Sequence, residues 1–425
     1  MTSILTQGVQ RSPLTVAARV SVGIALAVCV VVPHSFQVFT AALLGIAFLF
    51  ATLTTRFDRS LLILLTLCFL GVLVSIIYLV IGYASGAPTD AVILSAAVYV
   101  VSPVMWLIIG AAFFQLYGIP QAVIWLTRLT WLALISIVLF FYAYFAIGRE
   151  SVQFLTEEAN INVTRGFAGA TMLVYGSMIF LAGAVFAEPA VLKYKVARLV
   201  MSAAIIAAAA TSGRAAFLIA IPIGFIVGSL LRPGLAREFA ADSREKAPLL
   251  GLFAVLFSMA VGIVILNAVF VQLDLLFIAE VFWEKLTSGG GTERVEQFYA
   301  LWGGIEESFG LGHGHGIGVS YLRSDAYPWR YELLPLATIL RVGLFGTIVY
   351  ALPFLAAFII VLRKFRGRKL SPFDIYMAGG LMAALVATFT NPYMESFIFQ
   401  YMYFLPVVCI CMRPLNAEID PAQGS

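Results

Sequence analysis

The sequence predicts an all-α polytopic membrane protein of about twelve transmembrane helices with one large loop between the ninth and the tenth. Three observations carry this. Apolar residues make up 62% of the chain and charged residues only 11%, against roughly a quarter charged in a soluble domain. Apolar runs of about 18 residues or more recur from one end to the other, so bilayer rather than a water-excluding core absorbs them. Lys and Arg gather in alternate connecting segments, as in cytoplasmic loops.

Candidate spans lie at 14–33, 36–53, 60–83, 91–117, 122–147, 167–188, 196–212, 215–231, 249–271, 333–362, 375–390 and 397–412. Met1 to Pro13 is polar, and the apolar stretch after it is long enough to be retained as an anchor rather than cleaved. The whole chain, 1–425, reads as a single integral membrane domain.

Sidedness is anchored by the basic segment 363–373, which opens Arg363-Lys364-Phe365-Arg366-Gly367-Arg368-Lys369. Placing it in the cytoplasm and counting back puts Arg56 and Arg59, then Lys193, Lys195 and Arg198, then Arg232, Arg237, Arg244 and Lys246 on the same side. The acid-richer segments Glu150 to Arg165 and Gln272 to Glu332 fall on the opposite side, and both termini are expected in the cytoplasm. The net charge of +4 therefore reports topology and gives no reason to expect a nucleic-acid partner. Cys29, Cys68, Cys409 and Cys411 all lie in apolar runs, without disulfide or zinc spacing. No metal and no cofactor is expected.

The loop 272–332 is far longer than a usual helix connection. Phe277 to Leu286 reads as an amphipathic surface helix, Ser288 to Gly291 as a flexible break, and Thr292 to Glu307 as a second helix. Thr292 is its candidate N-cap, with Glu293 and Glu296 complementing the helix dipole.

Candidate chemistry clusters at this outer face. Arg214 links two spans in Thr211-Ser212-Gly213-Arg214, Arg294 lies in the loop helix, and Arg341 lies about three turns into the following span. A guanidinium fork suits phosphate oxygens, so the three are candidates for a phosphorylated or pyrophosphorylated substrate; snorkelling or a rim ion pair would also account for Arg214 and Arg294. In Leu311-Gly312-His313-Gly314-His315-Gly316-Ile317-Gly318, glycines alternate with two histidines. The pattern fits a tight turn tying the loop back to the membrane, or histidines placed for acid–base or sugar contacts. Glu332 stands where the loop re-enters the membrane, as a candidate base or an interfacial helix cap. Tyr321, Asp325, Tyr327, Trp329 and Tyr331 crowd the same stretch, where aromatic rings suit sugar faces as well as a membrane belt. Asn391 and Glu395, in the last outer loop, are further candidates for the same cavity.

Together these segments resemble the O-antigen polymerase and ligase superfamily, which includes the Wzy-type polysaccharide polymerases and the lipid A-core ligases. The resemblance runs from about Thr211 to Pro406. It rests on the Ser-Gly-Arg link, the loop with Arg294 and Trp302, Phe309-Gly310-Leu311-Gly312-His313-Gly314, Gly343-Leu344-Phe345-Gly346 and Thr390-Asn391-Pro392. It implies a metal-independent glycosyltransferase of the bacterial inner membrane, with a periplasmic active site, joining undecaprenyl-pyrophosphate-linked repeat units with inversion. Arg214 and Arg294, and by extension Arg341, would hold the pyrophosphate, and Glu332, His313 or His315 would be the base. Lipid-linked oligosaccharide repeat units, bilayer lipid, a flippase and a chain-length regulator are the implied partners. Ligases of this superfamily carry a His-Asn pair where this chain has Glu332-Leu333, and that departure favours a polymerase over a ligase. A twelve-helix secondary transporter is the rival from another class, although matching halves are not evident.

Overall fold

The computed structural model describes residues 12–33, 36–148, 150, 160–164, 167–171, 173–212, 215–242, 291–323, 325 and 327–412. The helices in chain order are α1 (Pro13–Val31), α2 (Gln37–Thr54), α3 (Arg59–Ala84), α4 (Thr89–Tyr117, with a π turn at Ala97–Val101), α5 (Ile119–Ala146), α6 (Leu173–Ala187), α7 (Lys195–Thr211), α8 (Ala215–Leu231), the short α9 (Arg237–Asp242), α10 (Gly291–Glu307), α11 (Leu334–Arg366), α12 (Pro372–Ala387) and α13 (Tyr401–Met412). Seven of them, α1 to α5, α8 and α11, are long and apolar enough to cross a membrane; α6, α12 and α13 are shorter apolar helices. The protein is thus a helical, membrane-embedded chain. The expected span 249–271 and loop residues 272–290 lie outside the described residues.

Local chemistry sets the helix ends. The Asp58 carboxylate accepts the Leu61 N–H at 2.8 Å to start α3, and Ser12 caps α1 ahead of Pro13. Ser371 and Asp374 form a reciprocal capping box at α12, with Pro372 in its first turn. Gly118, at φ +73°, ends α4 and opens α5, a conformation that costs glycine little.

Three expectations need correction. The span drawn at 167–188 begins instead with a strand: Asn160–Thr164 pairs antiparallel with Phe167–Thr171, Asn160 opposite Thr171, and the helix follows only from Leu173. The β-branched and small residues of this stretch pair as a hairpin rather than extending the helix, an exception to an otherwise helical chain. The span drawn as one helix over 333–362 is broken at Gly343. The basic loop drawn at 363–373 is shorter, since residues 363–366 end α11 and 372–373 begin α12, and Lys364 is buried against Asp374 at 2.9 Å.

At the centre, α6 is buried on all sides over residues 174–187, as is nearly all of α13. Full burial explains how helices this short belong to the bundle. Helix α6 packs against α8 and α12 through small residues: a Cβ on Gly224 would strike the Gly183 carbonyl oxygen, one on Gly228 the Ala187 carbonyl oxygen, and one on Gly379 the Ala187 Cβ. Backbone-close contact of this kind holds helices together where no hydrophobic difference between lipid and side chain drives association.

Helices α3 and α11 run antiparallel. Gly82, late in α3, meets His315 beside the start of α11, and Ser75 Oγ lies 2.7 Å from the Tyr350 hydroxyl further along. The connecting segments therefore sort to two ends. At one, Leu370 exchanges backbone hydrogen bonds of 3.0 Å with Gly234 and Ala236, and Arg232 lies 3.8 Å from Glu188. These basic segments converge as the charge count expects. At the other end lie the glycine-rich loop, Glu332 and Glu395.

Candidate functional site

The break in α11 organises the opposite end. Gly343 takes φ +68° and ψ 176°, which strips helical partners from the carbonyls just before it. An unpaired peptide group is costly in a membrane protein, and the glycine-rich loop supplies the missing donors. His313 N–H donates to the Leu340 carbonyl at 2.7 Å and Gly314 N–H to the Arg341 carbonyl at 2.9 Å, while Leu344 N–H donates to the Gly310 carbonyl at 2.9 Å. To do so the loop holds Gly310, Gly312, Gly314 and Gly316 at positive φ. A Cβ on Gly314 would strike the Gly82 backbone. The loop also docks on α3, through His315 N–H to the Tyr78 carbonyl at 2.9 Å and the Tyr78 hydroxyl to the Leu311 carbonyl at 2.5 Å. The alternation of glycine and histidine is thus a splice between two helices.

Both histidines are held within this splice. His313 Nε2 lies 2.7 Å from the Gly304 carbonyl oxygen, an acceptor, so that nitrogen carries the proton. His315 is 1% exposed; its Nε2 lies 3.1 Å from the Tyr350 hydroxyl and its ring 4.6 Å from that of Tyr99, and Nδ1 has no hydrogen-bond partner. Burial first, and then the positive charge of Arg341, push its pKa down to about 3, so it is neutral at physiological pH. The unfolded chain takes up a proton near pH 6.5 that the folded chain refuses. Stability from this group is therefore complete above pH 6.5 and is lost at up to about 1.4 kcal/mol per pH unit as pH falls towards 3. Thermal unfolding in detergent across that window should fall less steeply in His315→Gln than in the wild type; parallel profiles would remove His315 as the cause.

Arg341, on the last turn before the break, is 3% exposed. It forms an ion pair with Glu395, donates to the Tyr99 hydroxyl at 3.1 Å and to the Trp329 carbonyl at 2.6 Å. Tyr99 in turn donates to Glu395 at 3.0 Å. This triad lines a narrow, open cleft with Ser95, Trp329 and Arg330. The Arg330 guanidinium lies over the Tyr327 ring at 4.5 Å.

The second cluster is more accessible. Glu332 accepts from Arg294 Nε at 3.2 Å and from Arg323 Nη2 at 3.1 Å, with all three side chains a quarter to a third exposed. Beneath it the Gln297 side-chain oxygen accepts the N–H groups of Glu332 and Leu333 at 2.9 and 2.8 Å, capping the start of α11 from α10. Leu301 and Ile305 of α10 bury against Tyr331, Leu334, Ala337 and Leu340. Charge cluster and apolar seam together fix α10 on the first half of α11.

Of the residues singled out in the sequence, Arg294 and Glu332 meet one another, and Arg341 and Glu395 meet one another. The segment from Trp329 to Glu332 joins the two clusters. Tyr321 is partly buried against the α10 seam; desolvation and the nearby carboxylates of Glu293, Glu296 and Glu332 raise its pKa. Asp325 is exposed, and Asn391 donates to the Thr390 hydroxyl at 3.3 Å. Arg214 lies outside the described residues. Sequence reasoning passed over Arg323, Gln297 and Tyr99. Arg323 sits among polar loop residues with no motif, whereas Tyr99 could have been flagged as a polar group deep in an apolar run beside Ser95 and Ser102. Among the described residues no group of three or more His, Cys, Asp or Glu side chains is placed to hold a metal ion. Comparison with family models, with curated proteins and with solved structures finds no match to this chain.

Proposed function

We propose that this protein is a polysaccharide polymerase of the bacterial inner membrane: an inverting glycosyltransferase that joins undecaprenyl-pyrophosphate-linked repeat units at the periplasmic face. The observation that most supports this reading is the convergence of Arg294 and Arg323 on Glu332 at a partly exposed site, at the end of the molecule opposite the basic segments. In the resting arrangement the carboxylate occupies both guanidiniums. An incoming pyrophosphate, carrying more charge and more acceptor oxygens, competes for those donors and releases Glu332. The freed carboxylate takes the proton of the acceptor sugar hydroxyl as that oxygen attacks the anomeric carbon of the donor chain, and the arginines stabilise charge on the departing pyrophosphate. His315, buried and neutral, supports the fold of this end rather than the proton transfer. Basic segments in the cytoplasm and both termini inside follow from the same charge rule.

Glu332→Gln keeps the side-chain shape but removes the base. Polymer is expected to disappear, with lipid-linked single repeats accumulating at normal protein level. Wild-type chain length in that variant would remove Glu332 from the mechanism.

A secondary transporter is the second reading, because a discontinuous helix such as α11 is how transporters build their midplane sites. Here the carbonyls of Leu340 and Arg341 are occupied by loop N–H groups, and the break lies near one end of the bundle. Both features favour the polymerase.

A further inference from the structure

Helix α10 carries two apolar faces. Gln297, Leu301 and Ile305 face α11 and are buried. About a third of the way round the helix, Val295, Phe298, Tyr299 and Trp302 form an exposed stripe, 40% to 69% exposed, with the rings of Phe298 and Trp302 stacked 6.1 Å apart. The acids Glu293, Glu296 and Glu307 are exposed around the remaining side, while Glu306, one turn past Trp302 and also exposed, stands at the C-terminal end of the stripe. Helical spacing of one turn between 295, 298, 299 and 302 makes this a continuous ridge.

The ridge does not end with the helix. Phe309 and Leu311, 91% and 71% exposed, continue it, and the Gly310 carbonyl between them accepts the Leu344 N–H at 2.9 Å. Leu344, Phe345 and Ile348 are exposed in their turn and begin the outward stripe of α11 that Leu355, Phe358 and Ile359 carry on. Depth follows from length. Beyond the break, residues 344–366 extend about 35 Å at the α-helical rise, close to the roughly 30 Å hydrocarbon thickness. That length sets Leu344 near one end of the span, and the Gly310 bond ties the C-terminal end of α10 to it.

We infer that α10 is an interfacial helix, seated with Val295, Phe298, Tyr299 and Trp302 in the outer leaflet of the bilayer, Glu293, Glu296 and Glu307 facing water and Glu306 at headgroup level beside Trp302. An aromatic face that is continuous with a lipid-facing span and backed by carboxylates has the chemistry of a headgroup-level anchor. The Trp302 indole N–H donates to Glu306 at 2.6 Å, so its polar edge is satisfied while the residue stays 45% exposed. Seated this way, α10 holds the Arg294–Glu332–Arg323 cluster just above the headgroups, facing ligands that arrive along the membrane plane. The inference does not depend on the proposed reaction.

Nitroxide labels at Tyr299→Cys and, separately, Glu307→Cys test it in full-length protein reconstituted in phosphatidylcholine–phosphatidylglycerol nanodiscs, with unlabelled protein as background for the native cysteines. Collision with oxygen, which concentrates in lipid, should be several times greater at 299 than at 307, and collision with a water-soluble nickel chelate several times smaller. Equal nickel collision at the two positions would place the ridge in water and overturn the inference. Low collision with both reagents at 299 would mean that protein covers the ridge, and dipolar broadening relieved by dilution with unlabelled chains would identify a second copy; either result also overturns it.

Discussion

Arg341→Met is expected to destabilise the folded protein by about 3–5 kcal/mol, enough to remove most of it from a monodisperse detergent peak. The substitution leaves Glu395, 6% exposed, as a buried carboxylate with no countercharge and only the Tyr99 hydroxyl donating to it, and it strands the Trp329 carbonyl. Glu395→Met should be comparably damaging for the mirror reason. The double variant Arg341→Met with Glu395→Met exchanges a buried pair for packed apolar groups, a change often neutral or stabilising. It should therefore recover much of the loss. Recovery of folding without recovery of the proposed polymerisation would assign the pair to that reaction; recovery of both would make it architecture. A double variant as unstable as the single ones would show that the cost lies elsewhere.

The α6–α8–α12 contact should be nearly as sensitive. Gly224→Ala adds a Cβ where the Gly183 carbonyl already sits, and Gly228→Ala does the same against Ala187. Since backbone rather than a flexible side chain is struck, relief requires the helices to separate, at about 1–3 kcal/mol for each site. Gly45, with nothing within 4 Å of its missing Cβ, is the control, and Gly45→Ala should leave the unfolding temperature unchanged or raise it. Equal effects at Gly45 and Gly224 would mean that helix propensity rather than close approach governs these positions.

Hydropathy made the helices legible because length and apolar content are local properties. Eleven of the twelve expected spans have a helix at or near the expected place, and the twelfth lies outside the described residues. What local reading missed was decided by partners distant in sequence. The Gly343 break is invisible in an apolar run, since its stability depends on loop residues about thirty positions earlier that supply the lost hydrogen bonds. Arg323 joins Glu332 only because the loop folds back. Lys364 looks like one more cytoplasmic cation until Asp374 and the Ser371 cap are seen to enclose it. The small-residue pair Gly224 and Gly228 was in plain view at a spacing that brings helices together, and could have been read. Glu332 and Arg294 were singled out separately, but nothing in the sequence indicated that they bond to each other.

The splice at Gly343 also bears on when this end of the molecule can form. Its hydrogen bonds require Tyr78 of α3, made early in synthesis, and Leu340 and Arg341, made more than 250 residues later. The glycine-rich loop is synthesised before the α11 carbonyls that it must satisfy, so it has to wait outside the lipid until both helices are in place. Contacts so distant in sequence close slowly. The bundle is therefore expected to insert first and the cluster beside the Gly343 break to assemble last. Slow arrest at that stage would yield a chain with every helix in the membrane and no working site.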